Sequence, residues 1–577
     1  MAFQVSPGVL VKEIDLTNVV PASATSIGAI VGAFEKGPMN EVIPIGSERE
    51  LIQVFGKPNN TNFENWFTAA NFLQYGNALR VVRIETGARN AVSGGGVSLL
   101  SGTGDGSTVA FTLSQTVTDA DLLEVTVDDV LTTAFSVNGT TLTMDSAPTN
   151  SATVVAKLGV RITNDDDYEN NYANGQGSFG NWASKYPGDW GNSLGVSICG
   201  SATAYEQTIS ASVDANAAVG DTTVGVATAE SYNVGDVVYF QETSGQQYEV
   251  SSIAFDAGTS GPGDLTIRRF DDPKGGGLKT AVTSGTNVRR RWKYYDLFDA
   301  APGTTDWAVG LGLGTTNADE MHIVVYDTQG KITGYDSDVA GNRGNAVIET
   351  FEFVSKHPKA RTAQGGTNYY VDVVNRTSAY VWWMDHPSAG TNWGTDITSV
   401  SSVKIFTNVT SPIVDTLSTA SDDFSPTSGE TLLAYDYFAD PDIVDINLVM
   451  GGKTPDSTDG TTHVVGMIDL VEGRKDCVAF VSPRRQDVVG ITSGITQTTN
   501  VKEFFDGIAS SSYAVFDSGY KYMYDRYNDV YRYVPLNGDI AGLCANTDNV
   551  ADPWFSPGGL NRGQIRGAVK LAYNPTK

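Results

Sequence analysis

The stretch Ser511–Lys577 reads SSYAVFDSGYKYMYDRYNDVYRYVPLNGDIAGLCANTDNVADPWFSPGGLNRGQIRGAVKLAYNPTK, and its two alternating runs organise the rest of the chain. Tyr520, Tyr522 and Tyr524 share one strand face, with Lys521, Met523 and Asp525 on the other. Asn528-Asp529 is a turn pair that tolerates left-handed backbone, and Tyr531 and Tyr533 answer from a second strand. The pattern predicts a β-hairpin whose register is held by cross-strand aromatic pairs. Leu536–Ala545 reads as a short helix with Asn537 or Asp539 available as cap. Beyond it, Ile565, Gly567, Val569, Leu571 and Tyr573 alternate against Arg566, Ala568, Lys570 and Ala572, and the glycines favour a strand over a helix. No reactive group stands against a base here; the segment is built to be packed against something.

Working outward, the 577 residues suffice for roughly three or four domains. With 38 basic against 66 acidic residues the net charge is −28, which argues against direct contact with nucleic acid or an anionic membrane. Cys199, Cys477 and Cys544 are far apart and form no metal or redox spacing, as expected of thiols in a reducing cytoplasm. Pro7-Gly8 and the charges at Lys12, Glu13 and Asp15 interrupt any signal-peptide core, and the best apolar run, Ile27–Phe34, is far short of a bilayer span. The expectation is a soluble protein.

The chain alternates between two textures. Residues 1–22 are extended, bracketed by Pro7 and Pro21, and are ordered by docking on something or as an edge strand of their own domain. Residues 23–90 are α/β: a buried strand at Ile27–Val31, a helix Glu48–Phe55 capped by Ser47 and stopped at Gly56, a helix Asn65–Gly76 and a strand Ala78–Ile84. Ser47 and Glu50 fit a capping box, a feature of stability rather than function. Residues 91–160 give short strands split by Gly, Asp and Asn turns, a small inserted β-domain. Residues 161–201 return to the core as a long loop, with acidic Asp165–Asp167, leading to a strand at Leu194–Ile198. Residues 202–293 form a second all-β insertion, whose Arg289-Arg290-Arg291 reads as a solvated strand end because no aromatics interleave it.

Residues 294–510 resume the α/β core. Strands are expected at Met321–Asp327, Tyr369–Val374 and Ala379–Met384, and a helix at Asn345–Ser355. Ile446–Met450 and Cys477–Val481 read as parallel strands joined through a helix over Val464–Val471, a right-handed crossover. Residues 511–577 close the chain. The fold class is therefore mixed α/β (α+β) and multidomain: an α/β core assembled from discontinuous segments, with two inserted small all-β domains, sandwich or barrel.

Catalytic chemistry finds little support. Gly451-Gly452-Lys453-Thr454 follows a strand, but a phosphate loop needs Gly where Asn447 stands, and Pro455 follows at once. Gly275–Thr280 puts Leu278 where the same loop requires Gly. Asp336, Asp338 and Gly341 mimic the start of a calcium loop whose twelfth position is Val347 rather than Glu. Gly310, Gly312 and Gly314 follow no convincing strand. His322, His357, His386 and His463 have no paired spacing, and no G-x-S-x-G elbow occurs. No catalytic, cofactor or metal residue is assigned; the expectation is a non-enzyme without cofactor.

Three motifs carry a resemblance. FSPGGLNRGQIRGAVKLAYNP (Phe555–Pro575), the opening Ser6-Pro7-Gly8-Val9-Leu10-Val11-Lys12-Glu13-Ile14-Asp15, and DEMHIVVYDTQGKITG (Asp319–Gly334) resemble contractile tail sheath proteins of myovirus-type bacteriophages. The resemblance covers all but the two insertions. It implies rings of six subunits stacked helically around a tail tube, a core near the tube and insertions facing outward. Partners would be further copies, the tube protein, and baseplate and tail terminator proteins, with no direct nucleic acid or membrane. Assembly would occur in the host bacterial cytoplasm and the product would be the virion tail. It further implies a terminal arm that adds a strand to a neighbour, here Val9, Leu10, Val11, Lys12 and Glu13. For the tube-facing surface the candidates are Arg562, Arg566 and Lys570, a basic set in an acidic chain, with Arg566 and Lys570 on one strand face. Solvated strand-edge residues are the alternative for these three. Sheath proteins of this kind continue past the Gly563–Tyr573 strand, so an end at Lys577 is expected to leave out a C-terminal arm. An alternative from another class is a fibre or decoration protein that binds host glycans through exposed aromatics such as Trp190 or Trp292; a wall-degrading enzyme is the third.

Overall fold

The computed structural model describes residues 26–241, 245–269, 271–272, 276–314, 316–334, 346–387, 392–399, 405–560 and 562–573. The Val9–Glu13 arm, Asp336, Asp338, Gly341 and Gly275 lie outside the described residues. The protein is a mixed α/β chain with several sheets, divided into two compact units: Met1–Phe34, Glu41–Ile84 and Ser425–Lys577 in one, Glu35–Asn40 and Glu85–Phe424 in the other.

The first unit is built on a six-stranded sheet in the order Val42–Ile45, Leu79–Arg83, Gly28–Gly32, Leu448–Met450, Val478–Val481, Ala514–Phe516. All neighbours are parallel except Val42–Ile45 against Leu79–Arg83. A parallel sheet needs both faces covered, and alternate residues of its strands divide between two cores. Ile30, Val81, Met450 and Phe480 pack with Trp66, Phe67 and Ala541 of the helices Phe63–Phe72 and Asn537–Val550. Ala29, Val82, Val449 and Ala479 pack with Tyr435, Val464, Met467 and Phe504 of the helices Ser428–Asp436, Asp459–Arg474 and Gly494–Asp506. The crossover read from the sequence is therefore present as Leu448–Met450, Asp459–Arg474 and Val478–Val481. Helix Asn537–Val550 lies against Phe63–Phe72 because Gly538 carries no side chain: a Cβ there would stand 2.4 Å from the Thr68 carbonyl oxygen.

Ser47 caps Glu48–Phe55 as expected, accepting from the Glu50 amide, and Gly56 ends the helix. Glu50 Oε2, however, accepts from the Gly46 amide at 2.8 Å, one residue before the partner a capping box prescribes. The helix expected over Leu536–Ala545 runs Asn537–Val550 with neither Asn537 nor Asp539 as cap, since both are buried inside it.

The second unit holds a four-stranded antiparallel sheet, Val347–Ser355, Glu320–Asp327, Leu194–Cys199, Ile413–Thr416. Three readings are corrected here. The helix expected at Asn345–Ser355 is a strand, paired with Glu320–Asp327, because a fully buried neighbour rewards its β-branched and aromatic residues. The strand expected at Tyr369–Val374 is the helix Tyr370–Thr377, which buries Tyr370, Val371 and Val374 on one face. Asp165–Asp167 form the first turn of a helix capped by Asn164, where carboxylates meet the positive end of the helix dipole.

Residues 97–158 carry the sheets Val97–Thr103, Thr153–Leu158, Leu123–Val127, Val130–Thr132 and Ala110–Val117 with Phe135–Met144, around Leu99, Leu113, Val125 and Leu142. Between 206 and 291 a six-stranded antiparallel sheet encloses Val224, Val238, Tyr248, Leu265 and Ile267. Arg289–Arg291 lie in its strand Val288–Arg291, not at a solvated end. Arg290 is buried, 3.8 Å from Asp236, and donates to the Thr203 and Thr410 carbonyls at 2.9 and 3.1 Å, while Arg289 and Arg291 both pair with Glu206.

Candidate assembly surface

The Tyr520–Asp525 and Val530–Pro535 strands form the expected hairpin, with Tyr522 opposite Tyr533 and Tyr524 opposite Tyr531. Ring centroids of these pairs lie 4.7 and 5.2 Å apart, and Tyr522 also stacks on Tyr531 at 5.4 Å, so a tyrosine ladder fixes the register. Asp529 takes the left-handed turn position at φ 53°. The other face points inward: Lys521, Met523 and Asp525 are buried. A lysine on an inward face needs a buried partner, and the next helix supplies one.

Lys521 Nζ lies 2.9 Å from Asp539 Oδ1, with both side chains at 0% exposure. Lys521 Nζ also donates to the Arg566 carbonyl at 2.9 Å. Tyr75 donates its hydroxyl proton to Asp539 Oδ1 at 3.1 Å and accepts from the Arg566 amide at 2.7 Å. Asp539 Oδ2 has no hydrogen-bond partner among the described residues. Burial pushes the Asp539 carboxyl up and the Lys521 ammonium down, each opposed by the charge of the other. Burial also raises the Tyr75 phenol. The network clasps the C-terminal segment to the hairpin, and Gln497 Nε2 adds a bond to the Ala572 carbonyl at 3.0 Å. Sequence reading missed it; the available signal was a lysine at an inward-facing position of an alternating strand.

The C-terminal segment is less regular than expected. Only Lys570–Leu571 pair as a strand, against Lys521 and Tyr522, because a turn at Arg566-Gly567, with Gly567 at φ 68°, interrupts the run. Arg566 and Lys570 therefore do not share a strand face. The structure also separates the three cations. The Arg566 guanidinium lies 4.7 Å from the Tyr75 ring and donates to the Gln74 carbonyl. Lys570 Nζ stands 5.0 Å over the Tyr522 ring, and Arg562 lies 5.6 Å from the Phe555 ring while donating to the Ser556 carbonyl at 2.8 Å. Arg566 and Lys570 are exposed, whereas Arg562 is half-buried.

The other candidates are absorbed into packing. Trp190 and Trp292, offered as glycan platforms, are 6% and 1% exposed, and Trp292 Nε1 donates to Ser197 Oγ at 2.8 Å. The Gly451–Thr454 loop is closed by its own neighbours: Lys453 pairs with Glu64 at 3.2 Å, Asn537 Nδ2 donates to the Gly452 carbonyl at 2.8 Å, and Thr454 donates to the Ser482 carbonyl at 2.7 Å. His463 bonds the Gly451 carbonyl oxygen at 3.0 Å, His322 that of Ala300 at 2.9 Å, and His386 the Tyr370 hydroxyl at 2.5 Å. His357 stands 3.5 Å from Asp396. Among the described residues no group of three or more His, Cys, Asp or Glu could hold a metal ion, and no helix is long and apolar enough to cross a membrane.

Residues 25–84, which supply three neighbouring strands of the six-stranded sheet and the helices Glu48–Phe55 and Phe63–Phe72, match the family profile described as tail sheath protein Gp18 domain III N-terminal region. The chain is 27% identical to the tail sheath protein of Vibrio phage KVP40 over 99% of its own length and 77% of that protein. It is 26% identical to the tail sheath protein of Enterobacteria phage T4, over 98% of this chain and 76% of the relative. The chain belongs to the contractile tail sheath proteins of myovirus-type phages. It is a structural, non-enzymatic protein of the virion tail, and self-assembly comes with the family. The sheath chain also aligns with the crystal structure of the sheath tail protein from Desulfitobacterium hafniense at 8% identity and a TM-score of 0.31, covering 93% of this chain and 62% of that one.

Proposed function

We propose that this sheath subunit forms rings of six, stacked helically around a tail tube, and that the stack contracts when the baseplate triggers it, driving the tube through the host envelope for DNA delivery. Its partners are then further copies, the tube protein, the baseplate and the tail terminator, and assembly takes place in the host bacterial cytoplasm. The observation that carries this reading is a match to tail sheath proteins running through nearly the whole chain rather than one domain. In the proposed arrangement the α/β core, gathered from residues 23–90, 161–201, 294–510 and 511–577, lies toward the tube, and residues 91–160 and 202–293 decorate the outside. Val9–Glu13 add a strand to a neighbour's sheet; backbone hydrogen bonds make such a joint strong with few side-chain demands, so subunits move without separating. Contraction on this view relaxes a metastable array and consumes no nucleotide, which agrees with a Gly451–Thr454 loop filled by Glu64, Asn537 and Ser482.

Arg562, Arg566 and Lys570 remain the tube-facing candidates, with Arg566 and Lys570 the two whose side chains are exposed. Negative-stain electron microscopy and sedimentation of the purified chain, alone and with tail tubes, test the reading. Six-fold rings or striated tubes support it, and a chain that neither forms rings nor decorates tubes refutes it. Charge reversal at Arg566 and Lys570 is expected to weaken tube decoration; unchanged decoration removes those two residues from the tube surface.

A further inference from the structure

Among the described residues, two surfaces of the first unit are uncovered and opposite in character. One is apolar and basic. Trp554 is 79% exposed and Leu560 93%, with Phe555 beside them under the Arg562 guanidinium. Arg562 supplies its positive charge, and from Pro553 to Tyr573 the sequence has no carboxylate, against a net charge of −28 overall. Exposed tryptophan and leucine at such levels are not scattered surface residues; they sit within eight positions of each other in one irregular segment.

The other surface is a groove of about 400 Å³ between the helices Ser428–Asp436 and Asp459–Arg474. Leu432, packed over Gly466, and Leu470 wall it, Gly473 leaves room within it, and Asp436 and Asp469 line its solvent side. Leu433 and Val465, on the same two helices, and Ile443 are exposed as well. Arg474 also lines the groove, but it is buried and bonded to Asp476 and to the Phe438 and Val444 carbonyls, so the exposed charge of the groove is that of Asp436 and Asp469. Neither Asp436 nor Asp469 makes an ion pair among the described residues.

We infer that the surface made by Trp554, Phe555, Leu560 and Arg562 docks in the Ser428–Asp436/Asp459–Arg474 groove of a second copy of the chain. The inference rests on the sheath reading and goes beyond it by naming one joint between subunits. Charge complementarity selects the occupant: a basic, apolar projection and an acidic, apolar groove on the same polypeptide are each other's fit. Trp and Arg are the side chains that most often anchor an interface, Trp through contact area and Arg through directed bonds to carboxylates. Because the two patches differ, the contact is head-to-tail, and repetition builds a ring or an open helical array rather than a closed dimer.

Sedimentation velocity of the full chain across concentration tests this, using variants that keep the fold. Gly473→Leu fills the groove from a position where an added Cβ meets nothing within 4 Å and where leaving glycine favours the helix. Gly473→Leu and Trp554→Ala are each expected to raise the concentration needed for self-association at least about tenfold. Arg562→Glu and Asp469→Lys should each lose association alone, and their equimolar mixture should recover it to within about threefold, because the mixed array alternates Glu against Lys and Arg against Asp. Variants that associate like the natural chain, a mixture that does not recover, or a natural chain that stays monomeric overturns the joint. Decoration of tail tubes by that same chain would still uphold the sheath reading, so the two fail separately.

Discussion

Replacing Lys521 with Met tests the clasp under the tyrosine hairpin. Among the described residues, the substitution removes the one cation paired with Asp539 Oδ1 while keeping most of the volume. Asp539 would then be a fully buried carboxylate with the Tyr75 hydroxyl on one oxygen and nothing on the other. Breaking a buried pair from one side costs about 3–5 kcal/mol, far more than an exposed pair. The Arg566 carbonyl loses its donor as well. Since the chain has two units, a single unfolding midpoint is the wrong readout, and amide hydrogen exchange of Lys521–Asp525 and Arg566 is the right one. At 1.4 kcal/mol per factor of ten, protection there should fall by about two to three and a half orders of magnitude. Protection in the four-stranded antiparallel sheet of the second unit should stay unchanged. The loss should shrink as pH falls: burial raises the Asp539 carboxyl, so the folded state prefers the proton, and stability held at low pH is lost as pH rises. Lys521→Met with Asp539→Leu should recover much of the loss, because a buried pair is replaceable by apolar residues. Protection in Lys521→Met within about threefold of the natural chain would refute this account of the clasp.

Gly538→Ala forces a methyl group against the Thr68 carbonyl oxygen and should cost about 1–3 kcal/mol, read as a lowered unfolding temperature of the first unit by scanning calorimetry. Ser47→Ala removes the acceptor for the Glu50 amide and should cost about 1 kcal/mol, measured by exchange in Glu48–Phe55. Asp236, pushed up to about 6 by burial, binds its proton more readily folded than unfolded. Its contribution to the sheet holding Val288–Arg291 is therefore full below the unfolded carboxylate range and lost as pH rises through about 6, so protection there should fall between pH 4.5 and 7.5. Asp236→Asn should flatten that slope, and an unaltered slope assigns it to other groups.

Much of the first unit was legible because its signals were local. Ser47 and Gly56 bracket a helix by short-range bonds, and Leu448–Met450, Asp459–Arg474 and Val478–Val481 are one strand–helix–strand repeat read from hydrophobic period alone. The hairpin was equally plain, since alternation and turn chemistry agree over Tyr520–Pro535. Errors arose where a distant partner decides. Val347–Ser355 has residues at home in either element, and pairing with Glu320–Asp327 settles it as strand. Tyr370–Thr377 reads as β-branched and aromatic, yet tertiary burial of one face makes it a helix. The three cations look like a single basic face in one dimension, but the turn at Arg566-Gly567 sends them to three different aromatic rings. Likewise Lys521 and Arg290 look solvated until Asp539 and Asp236 are placed beside them.

The parallel sheet also dictates the order in which the protein can mature. Gly28–Gly32 pairs on one side with Leu79–Arg83, but its other neighbour, Leu448–Met450, is 420 residues further along the chain. A ribosome working at about 5–20 residues per second makes the first strand wait roughly 20–80 s for that neighbour. Residues 85–424 emerge in the interval and meet their own partners first. The helices around the acidic groove, the hairpin and the Trp554–Leu560 segment all come after them. A nascent chain thus cannot offer both halves of the head-to-tail contact until Arg562 has been made, and polymerisation on the polysome is held off until then by chain order alone.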